Sequence, residues 1–520
     1  MDFVITLDSN DVLPLHRQLY EELRRLILSG RLVPGQRLPS TRGLAKSLSI
    51  SRATVTQSYD QLLSEGYLQT IIGSGTYVCD RLPDDLLAAA VPEVTAAQLP
   101  AEPSVQLSAY GANLLTTDYS TQTGDTNSSN QKALISFQYG APALDEIPLK
   151  QWRQLLSRHC RTANREMFEY ASDSQGYQPL REAIARYLVQ SRAVQCEADQ
   201  VIIVSGSQQA LDLSTRVFIE QGDEVALENP GYLDARRIFL ANGARLLPIP
   251  VDKSGVVIER LSDYNAAKIK LIYVTPSHQF PTGAVLSLAR RLELLAWATQ
   301  VGAMIIEDDY DSEFRYEGRP IPALQGLDRG NSVIYVGTFS KVLFPALRIG
   351  YLVVPKTLVP VLTHAKRLTD RQSALLEQQV LTDFINEGYL ERHIRRMRNL
   401  YDIRRQTLMD ALVRHLGQRV TILGENAGIH LMVRLHTHLS DKEIVAKAAQ
   451  QGVELVNAQR YYMEGTGKCE FVIGYADLTE EKIIEGICRL AQVLVEPIVS
   501  LSSKGTESYA KAEKLSGSPL

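Results

Sequence analysis

The sequence predicts an α/β protein in two parts, a small winged helix–turn–helix at the N-terminus and a larger body of layered strands and helices. Three observations carry this. Residues 1–80 form a dense block with helical apolar spacing and a glycine-tipped hairpin. From about residue 132 to 497, short β-rich runs alternate with amphipathic segments, the pattern of α/β layers. Between them, residues 81–105 hold four prolines, many alanines and almost no base, which reads as a linker. The boundaries predicted are therefore 1–80, 81–105 and 106–497, with a small polar tail at 498–520. The polar stretch 116–131 reads as a loop or insertion.

Composition narrows the function classes. With 520 residues, 45% hydrophobic and 22% charged, the chain is neither disordered throughout nor a collagen-like repeat nor a disulfide mini-scaffold. A formal net charge of −4 excludes a polycation, so any contact with nucleic acid must be local. Cys79, Cys160, Cys196, Cys469 and Cys488 are scattered and include no CxxC pair, which suits a reduced compartment and argues against structural zinc. No basic leader followed by an apolar stretch is visible and no apolar run approaches a membrane span. The expectation is a soluble, cytoplasmic protein with no membrane contact.

In the N-terminal block, Leu15, Leu19, Leu23, Leu26 and Ile27 share one face of a helix over 13–29, which Gly30 ends. Pro34-Gly35 makes a turn, and Ser40 caps a short helix that turns Leu44 and Leu48 inward. Ser51 caps a third helix reaching Glu65, with Val55, Tyr59, Leu62 and Leu63 on its inner side. Strands over 67–72 and 76–79 flank Gly73-Ser74-Gly75. A third helix entering the major groove by its first turn would offer Ser51, Arg52 and Thr54. Arg42 and Lys46, one turn apart on the preceding helix, can reach phosphates, and Gly73 and Gly75 let the wing tip approach the DNA backbone. The block carries eight bases and eight acids, but Arg37, Arg42, Lys46 and Arg52 are uninterrupted by any acid. A protein-contact module with a solvated basic face is the alternative.

This block resembles the DNA-binding domain of the GntR family of bacterial regulators. The resemblance rests on Pro34-Gly35, Leu38-Pro39-Ser40-Thr41-Arg42, Ser51-Arg52-Ala53-Thr54-Val55, Gly66-Tyr67-Leu68 and Gly73-Ser74-Gly75-Thr76. It implies that Arg42, Ser51, Arg52 and Thr54 touch double-stranded operator DNA, with the wing tip near the minor groove.

In the larger body, Thr338-Phe339-Ser340-Lys341 follows an apolar strand at 332–336, with Arg348 seven residues beyond the lysine. A strand-end lysine can be desolvated into a Schiff-base former, and Thr338, Ser340 and Arg348 would cradle an anion beside it. A strand expected at 301–306 runs into Glu307-Asp308-Asp309-Tyr310-Asp311, where one carboxylate could hold a pyridine nitrogen protonated. An acidic loop or a metal site is the competing reading, the latter disfavoured on the expectation that no histidine lies nearby. After the strand at 201–204, Gly206, Ser207 and Gln208 precede a helix expected from Ala210, a phosphate nest. Tyr232 and the Pro281-Thr282-Gly283 loop add an aromatic ring and polar groups.

Nest, aromatic, acid, lysine and arginine in this order point to pyridoxal 5′-phosphate. Residues 106–497 resemble fold-type I aminotransferases, and the fusion resembles the MocR branch of the GntR regulators. The resemblance implies a large mixed-sheet lobe with a small α+β lobe. It implies that Lys341 forms the Schiff base, that Asp308 pairs with the ring nitrogen and that Tyr310 bonds the ring oxygen. Gly206, Ser207, Gln208, Thr338, Ser340 and Arg348 are implied to hold the phosphate and Tyr232 to lie against the ring. Tyr170 matches a tyrosine reaching a neighbouring subunit's phosphate, which implies a homodimer, head to tail in such a fusion. Two features depart from the aminotransferase pattern. Phe280 stands where those enzymes usually carry asparagine, a change the MocR branch shares, and the strand at 470–475 lacks their carboxylate-binding arginine. Arg460 is the nearest substitute, with Arg236 or Arg237 second.

The function expected is a DNA-binding transcriptional regulator that senses an amino acid or related amine through a pyridoxal phosphate Schiff base. A dimer would read two half-sites. The alternative is an active aminotransferase with an accessory DNA-binding domain, because the groups for proton transfer are present.

Overall fold

A computed structural model describes residues 5–8, 11, 13–83, 106–116, 135–163, 165–170, 173–318, 321–465 and 467–494. Most of the predicted linker and polar insertion, and the whole C-terminal tail, lie outside the described residues. The chain divides into two compact units, residues 1–106 and 107–520.

The first unit is the winged helix–turn–helix that the pattern predicts. Helices α1 (Leu15–Leu28), α2 (Thr41–Leu48) and α3 (Arg52–Ser64) precede strands β1 (Leu68–Ile71) and β2 (Gly75–Val78). Pro14 sits at the N-cap of α1, so that helix starts two residues later than its apolar spacing suggests. Ser40 Oγ accepts from Gly43 N and Ser51 Oγ from Thr54 N, each at 3.1 Å, giving both later helices the side-chain caps their sequence predicts. Ser49 takes a left-handed φ of 55°, which turns the chain between them. Leu19, Leu23, Leu26, Leu44, Val55, Tyr59, Leu62 and Val78 pack into one core. Leu48 and Leu63, expected inside, are only partly buried against it.

The second unit has two lobes. Its large sheet, which follows a short strand β3 (Ile135–Ser136), is formed by β4 (Val201–Val204), β5 (Glu224–Asn229), β6 (Arg245–Asp252), β7 (Gly255–Val256), β8 (Ile269–Val274), β9 (Met304–Asp309), β10 (Val333–Thr338) and β11 (Gly350–Val353). Their order across the sheet is β4-β11-β10-β9-β8-β5-β6-β7. Strands β5, β6, β8, β9 and β10 run parallel; β11 lies antiparallel between β10 and β4. The C-terminal ends of β4, β5, β8, β9 and β10 therefore share one edge, the edge at which α/β folds gather ligands.

The small lobe carries a four-stranded antiparallel sheet, Val420–Leu423, His430–Leu435, Glu470–Gly474 and Val456–Asn457 in spatial order. Beside it Ile135–Ser136 pairs in parallel with Val453–Glu454. The long helix Tyr389–Leu416 and the helix Glu480–Leu494 share the core of this lobe.

Two expected boundaries shift. Residue 301 ends the helix Leu288–Val301 rather than opening a strand; Gly302, at φ 75°, closes that helix and β9 starts at Met304. The helix after β4 begins at Ser207 instead of Ala210, which places Ser207 and Gln208 in its first turn.

Candidate functional site

The site is assembled from loops at that shared edge. Lys341 lies three residues past β10, half-buried, with its Nζ 2.7 Å from Gly140 O and 5.0 Å from the Tyr139 ring centre. Burial pulls its ammonium below the usual lysine range, against the opposing pull of Asp311 and Asp308. A lysine in this state is closer to the neutral amine that nucleophilic chemistry requires.

Of the four acids around Tyr310, three have other duties. Glu307 accepts from the backbone N–H groups of Leu324 and Gln325, at 2.7 and 2.8 Å. Asp309 forms a buried 2.8 Å ion pair with Arg192. Asp311 bonds His278 Nδ1 at 3.0 Å. Asp308 takes a 2.8 Å bond from the Tyr273 hydroxyl on Oδ2, and its buried Oδ1 has no partner. Burial pushes its carboxyl up to about 7.

At the end of β4, Gly206 (φ 83°) is the N-cap of the helix Ser207–Phe218, whose first N–H groups point outward at the same edge. A Cβ at Gly206 would lie 2.9 Å from the Arg348 guanidinium, which donates to Ser205 O at 2.8 Å. Thr338 Oγ1 accepts from Ser340 N at 3.1 Å. Gln209 Nε2 donates to Asp370 at 2.8 Å, as does the fully buried Lys366, bracing the helix start from behind. Gly206 and Arg348 thus meet at this helix N-terminus, and Thr338 pairs with Gly350, whose missing Cβ would touch Gly206.

Lys341 opens into a cavity of about 250 Å³ lined by Gln138, Tyr139, Tyr232, Phe280, Arg460 and Tyr461. Of the three arginines proposed for a carboxylate, Arg460 reaches this cavity. Arg236 instead points to Tyr462 O at 3.4 Å, and Arg237 is buried against Asp234. Tyr170 is 74% exposed, with the Arg371 guanidinium 4.1 Å from its ring centre. Tyr310 is buried and its hydroxyl lies 3.0 Å from His278 O and 3.1 Å from His278 Nδ1.

The expectation that no histidine lies near the acids is corrected by the fold. His278 and His430, distant in sequence, offer ligating atoms within 4.8 Å of each other and of Asp311. The loop after β8 and a small-lobe strand converge there, a proximity that sequence spacing does not carry. Sequence reasoning also missed Tyr273, which reads only as one more apolar strand residue, and Tyr139-Gly140, which come from a distant loop.

On the DNA side, Arg42, Lys46, Ser51 and Arg52 are exposed and Thr54 is partly so. Ser51 Oγ lies 2.8 Å from Thr54 Oγ1, so the two hydroxyls share one hydrogen bond at the cap. Gly73 (φ 80°) has no atom near its missing Cβ, whereas Gly75 (φ 135°) packs over Arg37.

Residues 132–490 match the family model for aminotransferase class I and II, and residues 15–78 that for bacterial regulatory proteins of the gntR family. The chain is 40% identical to the probable rhizopine catabolism regulatory protein MocR of Rhizobium meliloti, covering 93% of this chain and 94% of the relative. The chain belongs to the MocR-type branch of the GntR family. A second MocR-type relative, the pyridoxine biosynthesis regulator PdxR of Corynebacterium glutamicum, is 32% identical over 93% of this chain and 96% of its own. Among solved structures, the α-aminoadipate aminotransferase LysN of Thermus thermophilus, complexed with N-(5′-phosphopyridoxyl)-L-leucine, superposes with a TM-score of 0.64 at 30% identity. It covers 70% of this chain and 92% of that enzyme.

As a MocR-type protein the chain is a DNA-binding transcriptional regulator whose aminotransferase-like domain uses pyridoxal phosphate. The residues fit that cofactor. The orphaned Asp308 Oδ1 is an acceptor for a cationic N–H, and the Gly206 backbone lies so close to the Arg348 guanidinium that a Cβ there would meet it at 2.9 Å. Among the described residues no helix is long and apolar enough to cross a membrane.

Proposed function

We propose that this MocR-type regulator senses an amino acid or related amine in the Lys341 cavity and answers by changing its affinity for operator DNA. The observation that carries this reading is one cavity lined by both a desolvated lysine and an arginine, with Tyr232 and Phe280 also in its wall.

Pyridoxal phosphate supplies a carbonyl carbon that condenses with amines and a ring that withdraws electrons. Lys341 is the amine that would hold this carbon. Asp308, with Oδ2 fixed by Tyr273, keeps the ring nitrogen protonated through Oδ1. The N–H groups of Ser207 and Gln208, with Thr338, Ser340 and Arg348, bind the phosphate, and Tyr232 covers the ring. Arg460 takes the ligand carboxylate. In the winged helix, Ser51, Arg52 and Thr54 meet the major groove while Arg42 and Lys46 hold phosphates, and Gly73 and Gly75 bring the wing close. Two copies act together, with the exposed Tyr170 presented to the partner. Linkage requires that ligand alter DNA affinity by the same factor as DNA alters ligand affinity.

Catalytic transamination is a second reading, favoured by the depressed Lys341 ammonium and the 30% identity to LysN. One experiment separates them. Full-length protein loaded with pyridoxal phosphate is titrated with a panel of amino compounds while visible absorption, keto-acid release and binding to its own promoter are followed. Sensing requires a spectral change and a shift in DNA affinity, both lost in Lys341→Ala. Rapid keto-acid release with unaltered DNA binding would favour the enzyme.

A further inference from the structure

Tyr310 is held by two groups the reaction reading does not use. Its oxygen lies 3.1 Å from His278 Nδ1 and 3.0 Å from His278 O. The same Nδ1 lies 3.0 and 3.1 Å from the two oxygens of Asp311. A carboxylate at Asp311 can only accept, so the tautomer that satisfies it carries the proton on Nδ1, between the carboxylate and the phenolic oxygen. The His278 ring packs directly against Gly428, where a Cβ would lie 2.0 Å from it. Asp311 and His278 are both essentially inaccessible to water, so this brace is rigid and unscreened.

The brace matters because of what stands opposite. Phe280, at 2% exposure, has no hydrogen-bond donor, and its ring lies against Tyr139 at 4.8 Å between centres. Tyr310 is therefore left to serve the ring oxygen by itself. Its hydroxyl hydrogen can rotate from the His278 carbonyl to a stronger acceptor while its oxygen stays fixed. An N–H donated into that oxygen polarises the O–H and makes it a better donor.

We propose that His278, braced by Asp311, is a positioning residue that aims and strengthens the Tyr310 hydroxyl toward the ring oxygen of the cofactor, in compensation for the donor that Phe280 lacks. This rests on the reading that Tyr310 faces that oxygen. The titratable groups facing Tyr310 are Asp311, Tyr139, Tyr273 and Asp308, and His278 also faces His430.

The test is the pH midpoint of the visible band of the full-length, cofactor-loaded protein. Donors on the ring oxygen favour the deprotonated linkage and lower this midpoint. Tyr310→Phe raises it by about one pH unit and His278→Phe by about half a unit, on the scale of single hydrogen bonds. In the Tyr310→Phe background His278→Phe adds nothing, because it acts through Tyr310. Asp311→Asn, which keeps the side-chain shape, shifts the midpoint in the same direction. An unchanged midpoint in both His278→Phe and Asp311→Asn, or additive shifts in the double variant, overturns the proposal. A wild-type chain that takes up no pyridoxal phosphate defeats the cofactor reading itself, and is recognised by the absence of any band.

Discussion

The Tyr273 hydroxyl donates to Asp308 Oδ2 at 2.8 Å and leaves Oδ1 buried without a partner. One oxygen is fixed so that the other presents a single direction to whatever cation comes next. In the cofactor-free protein this arrangement is unfavourable, since burial pushes the carboxyl from 3.8 up to about 7.

The first prediction follows from the sign of that shift. A raised carboxyl keeps its proton in the folded chain where the unfolded chain has lost it. Its contribution is fully present below about pH 4 and is lost as pH climbs from about 4 to 7. Asp308→Asn should therefore raise the melting temperature of the cofactor-free protein at pH 8, by roughly 2–4 °C per kcal/mol relieved. At pH 4 it should leave that temperature nearly unchanged. With pyridoxal phosphate present the order reverses, because the variant loses its partner for the ring nitrogen. Calorimetry at the two pH values decides; an equal gain at both would mean that Asp308 is ionised throughout.

Gly206→Ala tests the phosphate cradle. The new methyl group meets the Arg348 guanidinium at 2.9 Å and must adopt a left-handed φ of 83°. The strain is about 1–2 kcal/mol, and displacement of Arg348 should weaken pyridoxal phosphate binding by at least tenfold, as measured by equilibrium dialysis. Affinity equal to wild type would place the phosphate elsewhere.

The two arginine candidates separate by position. Arg460 lines the Lys341 cavity, whereas Arg236 is directed at Tyr462 O. Arg460→Ala should raise the amino acid concentration needed for the spectral change by about ten- to a hundredfold, the cost of a charged hydrogen-bonded pair. Arg236→Ala should alter it less than about twofold. The reverse ranking would exchange their roles.

Because the winged helix has its own core, damage to it should stay there. Leu23 is fully buried, and Leu23→Ala should cost about 2–5 kcal/mol and abolish operator binding by gel shift. Arg52→Ala, at an exposed position, should weaken operator binding while leaving the unit folded. Neither should alter the visible band. Loss of cofactor in Leu23→Ala would show that the units fold as one.

Local signals made much of this legible. Ser40 and Ser51 announce the helices they cap, and the glycines at 73 and 75 announce the wing, because caps and turns depend on the residues that make them. Lys341, Asp308 and Gly206 stand out in the sequence because each lies at or just past the end of an apolar strand. The brace on Tyr310 was not, since His278 and Asp311 are 33 residues apart and their meeting depends on how β8 and β9 pair. The false strand start at 301 has a local origin: apolar residues at a helix end and at a strand start look alike, and Gly302 is what separates them.

The bond from Lys341 Nζ to Gly140 O joins the large sheet to a segment that follows the strand paired with the small lobe, and Gly140 itself takes a φ of 116° to make the approach. The nitrogen that makes this contact is the one the cofactor would take up, and it cannot do both, so the contact is available only to the chain whose lysine is free.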